Sequence, residues 1–133
     1  KAAPIRVDME KTMVNSFGIF RNEKLMQEGL DQIIELKRRF KNVMVEDKGK
    51  AYNLDLVRTL ELGYMLDLTQ IIAVGAIARK ESRGAHYRED FQKMDNENFL
   101  KHTMVSLDSK GDPQLSYKPV VIEDIEPLEE IKY

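Results

Sequence analysis

"LDLVRTLELGYMLDLTQIIAVGAIARKES", residues 54–82, carries two apolar stripes at helical spacing. Val57, Leu60, Tyr64, Leu68 and Ile71 form one, and Leu62, Leu66, Ile72 and Ala76 form the other. Between Gly63 and Ala78 the only charge is Asp67. A helix that is apolar nearly all round is covered on more than one side, so the spacing predicts a central helix over about 54–82. Asn53 supplies its N-cap. Gly84 suits the left-handed position just past a helix whose last turn carries Arg79, Lys80 and Arg83. Cover can come from amphipathic partners in this chain or from another domain, and Gly63, Ala73, Gly75, Ala76 and Ala78 would let a neighbouring backbone come close.

Working outward, two amphipathic partners are present. Asp8 can cap a short helix over about 8–17 with Met9, Met13 and Phe17 on one face and Gly18 as its stop. A second helix over about 22–44 aligns Met26, Leu30, Ile33, Phe40 and Met44, with charged residues on the other faces. Past Phe91 the period changes to two: "KHTMVSL" and "QLSYKPVVI" flank the turn-rich "DSKGDP", which reads as a hairpin over about 101–121. Pro119 lacks an amide donor, so its strand is an edge or ends there. An acidic tail occupies 123–133. The expected fold is mainly α: one domain over 1–133, a bundle of about three helices with a small C-terminal β-hairpin.

The 133 residues suffice for one core that buries about two thirds of the unfolded surface. A net charge of −2 offers no global field for nucleic acid or anionic lipid. The absence of cysteine removes disulfides, thiolate metal sites and cysteine nucleophiles together. The apolar run "LTQIIAVGAIA" has 11 residues where a membrane span needs about 20, so direct membrane insertion is not expected. No signal-peptide core follows Lys1, and an opening on Lys1 rather than Met leads us to expect a fragment or processed product.

Chemistry concentrates in "ARKESRGAHYREDF", residues 78–91. Ser82, His86 and Asp90 are the residue types of a hydrolytic triad, but no nucleophile-elbow glycine pattern surrounds Ser82, and a helix ending at Gly84 would break the alignment. Neither His86 nor His102 has a second histidine at ligand spacing, which argues against a metal site. Arg79, Lys80, Arg83 and Arg88 face Glu81, Glu89 and Asp90, leaving one net positive charge, too little for a phosphate track. What remains is solvated surface charge, or arginine–carboxylate pairs that fix a turn and dock it.

"RKESRGAHYREDF" (79–91) closely resembles the signature near the C-terminus of the flavoprotein subunits of succinate dehydrogenase and fumarate reductase. "RVDMEKTM" (6–13) resembles the opening of that family's C-terminal helical domain, "LELGYMLDLTQIIAVGAIARKESRG" (60–84) its long helix, and "FLKHTMVS" with "LSYKPVVI" its terminal strands. Gln92 departs from the pattern, since many relatives place proline there. L-aspartate oxidase shares a similar block, although the "KHT" and "YKPV" ending looks more like the first two enzymes.

The resemblance implies a subunit in which succinate gives a hydride to covalently held FAD, an arginine relays the proton, and electrons pass through an iron-sulfur subunit to quinone at a membrane anchor. It implies a complex peripheral on the inner, cytoplasmic face of the membrane. The FAD-binding and capping domains that do the chemistry lie outside this sequence, which has no G-x-G-x-x-G after a strand. No catalytic, cofactor-binding or metal-ligating residue is therefore assigned here. Arg79, Glu81, Ser82, Arg83, Gly84, His86, Arg88 and Asp90 are expected to organise the contact with the FAD-binding domain. The competing expectations are a free-standing helical interaction module and a small hydrolase using Ser82 and His86.

Overall fold

The computed structural model describes residues 1–128, so the end of the expected acidic tail lies outside the described residues. Its elements are α1 (Ala2–Phe17), β1 (Phe20–Arg21), α2 (Glu23–Phe40), α3 (Leu54–Ala78), β2 (Tyr87–Arg88), α4 (Asn96–Phe99), β3 (Lys101–Leu107) and β4 (Pro113–Pro119). The fold is mainly α, with the antiparallel β3–β4 hairpin at its C-terminal side.

Helix α1 begins six residues earlier than the sequence indicates. Pro4 in its first turn is tolerated because that turn has no intrahelical use for the missing amide. Asp8 does not cap the helix: its carboxylate takes Arg39 Nη1 of α2 at 2.8 Å and its carbonyl accepts the Thr12 hydroxyl. The helix does stop at Gly18, but with φ −68° rather than in the left-handed region. Helix α2 starts where Asn22 Oδ1 accepts the Leu25 amide at 3.0 Å. It ends at Phe40, four residues short of the expected limit, where the amides of Asn42 and Val43 turn back to Arg39 and Phe40. Met44, expected on the buried stripe, is 78% exposed.

Helices α1 and α2 cross closely at Gly29. A Cβ there would lie 2.5 Å from Ser16 Cβ and 2.7 Å from Phe17 Cε2, so only a bare backbone fits. Gly29→Ala, ordinarily favourable inside a helix, should instead destabilise the fold by about 1–3 kcal/mol through overpacking. Denaturant titration of the two proteins measures this, and an unchanged midpoint would refute the close crossing.

Helix α3 runs through the centre, and Asn53 caps it by accepting the Leu56 amide at 2.8 Å. One core cluster, Ile5, Met9, Leu36, Leu62 and Leu66, surrounds its first half, and a second, Phe17, Met26, Ile33, Ala73 and Ala76, its second half. Each fully buried Met, Ile or Leu side chain contributes about 1.5–3 kcal/mol. At 25 residues α3 is also long and apolar enough to cross a membrane by length and composition. Its inner side carries buried Thr59, Thr69 and Gln70 against the bundle, and Asp67 pairs with Lys37 of α2 at 2.7 Å.

Only one of the two apolar stripes is covered. Leu62, Leu66 and Ala76 are buried as expected, whereas Ile72, placed on the same stripe by spacing, lies outward. Val57, Leu60, Tyr64, Leu68 and Ile72 are all about half exposed or more, Tyr64 reaching 68%. The hairpin covers the C-terminal end of α3 through Thr103 and Val105, which approach Gly75. Its register pairs Lys101 with Pro119 and Leu107 with Pro113, so β4 ends at the residue that cannot donate.

Candidate functional site

Helix α3 stops at Ala78, four residues before the expected end, and the reason lies in the charged segment. Arg79 turns extended (φ −87°, ψ 96°). The guanidinium of Arg88, fully buried, reaches back so that Nη1 donates to the carbonyls of Ile77 at 3.1 Å and Ala76 at 3.4 Å. A side-chain cation thus serves the carbonyls that another helical turn would have used. Gly84 is consequently not the residue after the helix. It sits, with φ +58°, at the tip of a tight turn in which Arg83 and His86 exchange backbone hydrogen bonds of 2.8 and 3.1 Å. Open space surrounds it; a left-handed φ favours glycine there.

Two ionic centres hold the segment. Glu81, with no exposed surface, takes Arg79 Nη2, Arg83 Nε at 2.9 Å, Arg83 Nη2 at 3.0 Å and the Asp95 amide at 2.8 Å. Burial alone would raise this carboxyl, but Arg83, the Asp95 amide and Arg79 outweigh it and hold it below its ordinary value. Arg79 continues to the carbonyls of Phe99 and Lys101 and to the Thr103 hydroxyl, tying the end of α3 to α4 and β3. In the second centre Arg88 grips Asp90 with two parallel bonds of 2.7 Å and donates to Glu23 Oε2 at 2.8 Å. Burial disfavours its charge, yet Asp90 and Glu23 more than compensate and raise its pKa.

Asp90 has a second task. Its Oδ2 accepts the Glu23 amide at 2.9 Å, so it caps the first turn of α2. The parallel pairing of β1 with β2, Phe20 opposite Tyr87 and Arg21 opposite Arg88, brings the α1–α2 connection into the same assembly. Neither these two-residue strands nor the single-turn α4 has a periodic sequence signal, and the sequence reading missed them. Glu23 and Arg21 were missed for the same reason: they lie about 65 positions from their partners, and only the folded chain joins them.

Ser82, also fully buried, accepts the Arg88 amide at 2.8 Å and donates to the Phe91 carbonyl at 2.9 Å, which makes it a lock on the loop. His86 Nε2 lies 2.9 Å from the Arg79 carbonyl and Nδ1 lies 3.0 Å from Arg21 Nη1. The carbonyl can only accept, so Nε2 carries the proton and Nδ1 receives one from Arg21. Among the described residues no hydrogen bond joins Ser82 to His86 or His86 to Asp90, and the residues expected of a triad are committed elsewhere. The amides that open α2 and α3 are met by Asn22, Asp90 and Asn53, and the guanidinium groups of Arg79, Arg83 and Arg88 already hold carboxylates.

The pKa shifts of His86 and Asp90 each predict a loss of stability on acidification, and that of buried Glu81 adds to the acid loss. Burial pushes His86 below its ordinary 6.5, with Arg21, Arg88 and Arg79 adding to the effect. The unfolded histidine therefore protonates first, and stability declines as the pH falls below about 6.5. Arg88, and then the Glu23 amide, hold Asp90 down to about 2 from 3.8. Its contribution is whole above about pH 4 and is lost as the pH falls through about 2. Denaturant midpoints followed from neutral to acid pH should show both declines, and Asp90→Asn should diminish the lower one, leaving the share of Glu81.

Comparison with known proteins places this architecture. The family model described as "Fumarate reductase flavoprotein C-term" matches residues 6–133. The fumarate reductase flavoprotein subunit of Haemophilus influenzae is 43% identical over 127 residues, 96% of this chain and 21% of its own length. The succinate dehydrogenase flavoprotein subunit of Rickettsia conorii is 40% identical over 120 residues, 90% of this chain and 20% of its own. The solved Escherichia coli quinol fumarate reductase superposes with a TM-score of 0.94 at 41% identity, covering 97% of this chain and 22% of that one. The chain thus spans about a fifth of the length of the relatives it matches. Through a match over nearly its whole length, it belongs to the C-terminal domain family of the fumarate reductase and succinate dehydrogenase flavoprotein subunits.

Proposed function

We propose that this chain serves the interconversion of succinate and fumarate as the C-terminal helical domain of a flavoprotein subunit, packing on the FAD-binding and capping domains. FAD is held by those domains, which exchange electrons with an iron-sulfur subunit and a membrane anchor at the cytoplasmic face. Family membership supports the activity. The observation that carries the docking role is the uncovered apolar stripe of α3 beside a segment whose charges are satisfied internally. Monomeric proteins rarely leave so continuous an apolar face open, and such faces mark interaction sites.

Arg79, Glu81, Ser82, Arg83, Gly84, His86, Arg88 and Asp90 organise that contact. Their bonds set where α3 ends, hold the hairpin and α2 against it, and project the exposed turn at Gly84. The reading requires succinate-dependent dye reduction by the flavin-loaded subunit that carries this chain. Arg83→Ala in that subunit strips the buried Glu81 of one of its two cations, at a cost of about 3 kcal/mol. Flavin retention and turnover should both fall; a variant unchanged in assembly, flavin content and turnover would refute the organising role.

A further inference from the structure

We propose that Arg21, seated on His86 at the head of an apolar groove, receives a carboxylate from the portion of the flavoprotein subunit outside this chain. This inference rests on the docking role proposed above. The groove has a volume of about 320 Å³, with Ile72, Gly75 and Val105 among its walls and Arg21, Arg79 and His86 at its polar end.

Charge distribution sets Arg21 apart. Arg79 and Arg83 share Glu81, and Arg88 holds Asp90 and Glu23. Arg21 is half-buried, yet it makes no salt bridge to a carboxylate among the described residues. Its Nε donates to the Gly18 carbonyl at 2.7 Å and its Nη1 to His86 Nδ1 at 3.0 Å. The imidazole is neutral in this arrangement and cannot balance the charge. Nη2 has no hydrogen-bond partner among the described residues. Two bonds already fix the guanidinium plane, so little further side-chain freedom is lost when an anion docks.

The surroundings select the anion. A phosphate track or a lipid headgroup surface would need several unpaired cations, but the neighbouring arginines are neutralised. A single carboxylate fits one guanidinium with a free edge, and the aliphatic walls suit the methylenes of an Asp or Glu and its neighbours. Ile72 belongs both to this groove and to the uncovered stripe of α3, and exposed Ile19 and Phe20 precede Arg21 on the chain. The groove is therefore continuous with the face assigned to docking, which points to the same subunit as the source of the carboxylate.

The test is made in the flavin-loaded subunit. Arg21→Lys places an amine where the guanidinium stood, and a zero-length carbodiimide joins an amine only to a carboxylate in contact with it. Peptide mass spectrometry should find the introduced amine linked to an Asp or Glu of the subunit outside this chain. No link, a link confined to this chain, or a link to a different subunit would overturn the proposal. Should Arg21→Lys not accumulate folded, an arginine-directed phenylglyoxal photo-cross-linker on the unmodified subunit identifies the neighbours of Arg21, with the same outcomes. Flavin content and succinate-dependent dye reduction of the unmodified subunit judge the docking reading separately, so loss of either is distinguishable from failure of the cross-link.

Discussion

Replacing Arg88 by Ala should destabilise this chain by about 3–5 kcal/mol, a large share of the roughly 5–15 kcal/mol that holds an ordinary domain together. The guanidinium is fully buried and donates to three places at once: the carboxylate of Asp90, the carboxylate of Glu23 and the last carbonyls of α3. Its loss leaves Asp90 facing Glu23 without a cation between them and leaves the end of α3 uncapped. Phe91, whose ring centroid lies 5.0 Å from the guanidinium, loses a cation partner as well. Arg88→Lys should recover only part of the loss, since a single ammonium cannot reproduce two parallel bonds to Asp90 and still reach the carbonyls. Denaturant titration of the two variants beside the parent checks both statements. A cost below about 1 kcal/mol for Arg88→Ala would mean that the cluster behaves as exposed surface charge.

Arg88 also marks where sequence reasoning stopped. The helical stripes of α2 and α3 and the alternation of β3 and β4 were legible because a regular element writes its period into the chain. Asn53 was legible as a cap because its bond is local. Three helix ends were misplaced, and at two of them remote contacts claim the residue that looked like the boundary. Asp8 looks like a cap but is claimed by Arg39, thirty-one positions away, and Gly84 looks like a helix stop although Arg88 has already ended the helix. The eight residues expected in the docking segment, by contrast, stood out through their charge-rich composition and the family resemblance of residues 79–91. The structure brings seven of them into two ionic centres, built on buried Glu81 and buried Arg88, and the hydrogen bonds around these, and puts Gly84 at a turn. Arg21 and Glu23 completed the assembly only through the parallel pairing of β1 and β2, which has two residues on each side and no period to read.

The same limit explains why one stripe of α3 could not be assigned a neighbour. Spacing shows that both stripes are apolar, and the fold shows which one this chain covers. The uncovered positions, Val57, Leu60, Tyr64, Leu68 and Ile72, follow one another at three-to-four spacing along about four turns, a length suited to a helix or strand of a partner.

Leu68→Glu tests that face with the largest expected effect on function. Leu68 is 57% exposed here, so in this chain alone the substitution should change stability by no more than about 0.5 kcal/mol. Under the docking role proposed above, the same carboxylate would in the full subunit be enclosed against the flavin-binding portion without a partner, beside Asp67. Enclosing an unpaired charge costs several kcal/mol, and about 3 kcal/mol already lowers the docked population roughly a hundredfold. Flavin-loaded subunit and succinate-dependent dye reduction should fall together by that order, while Leu68→Met, which keeps volume and polarity, should lose little. The discriminating quantity is the difference between the two contexts. A glutamate tolerated in the chain and harmful in the subunit means that the stripe is covered by the rest of the subunit. If the subunit tolerates the glutamate as well as the chain does, the stripe faces solvent in the assembled enzyme, and docking must run through the turn at Gly84 and the groove at Arg21.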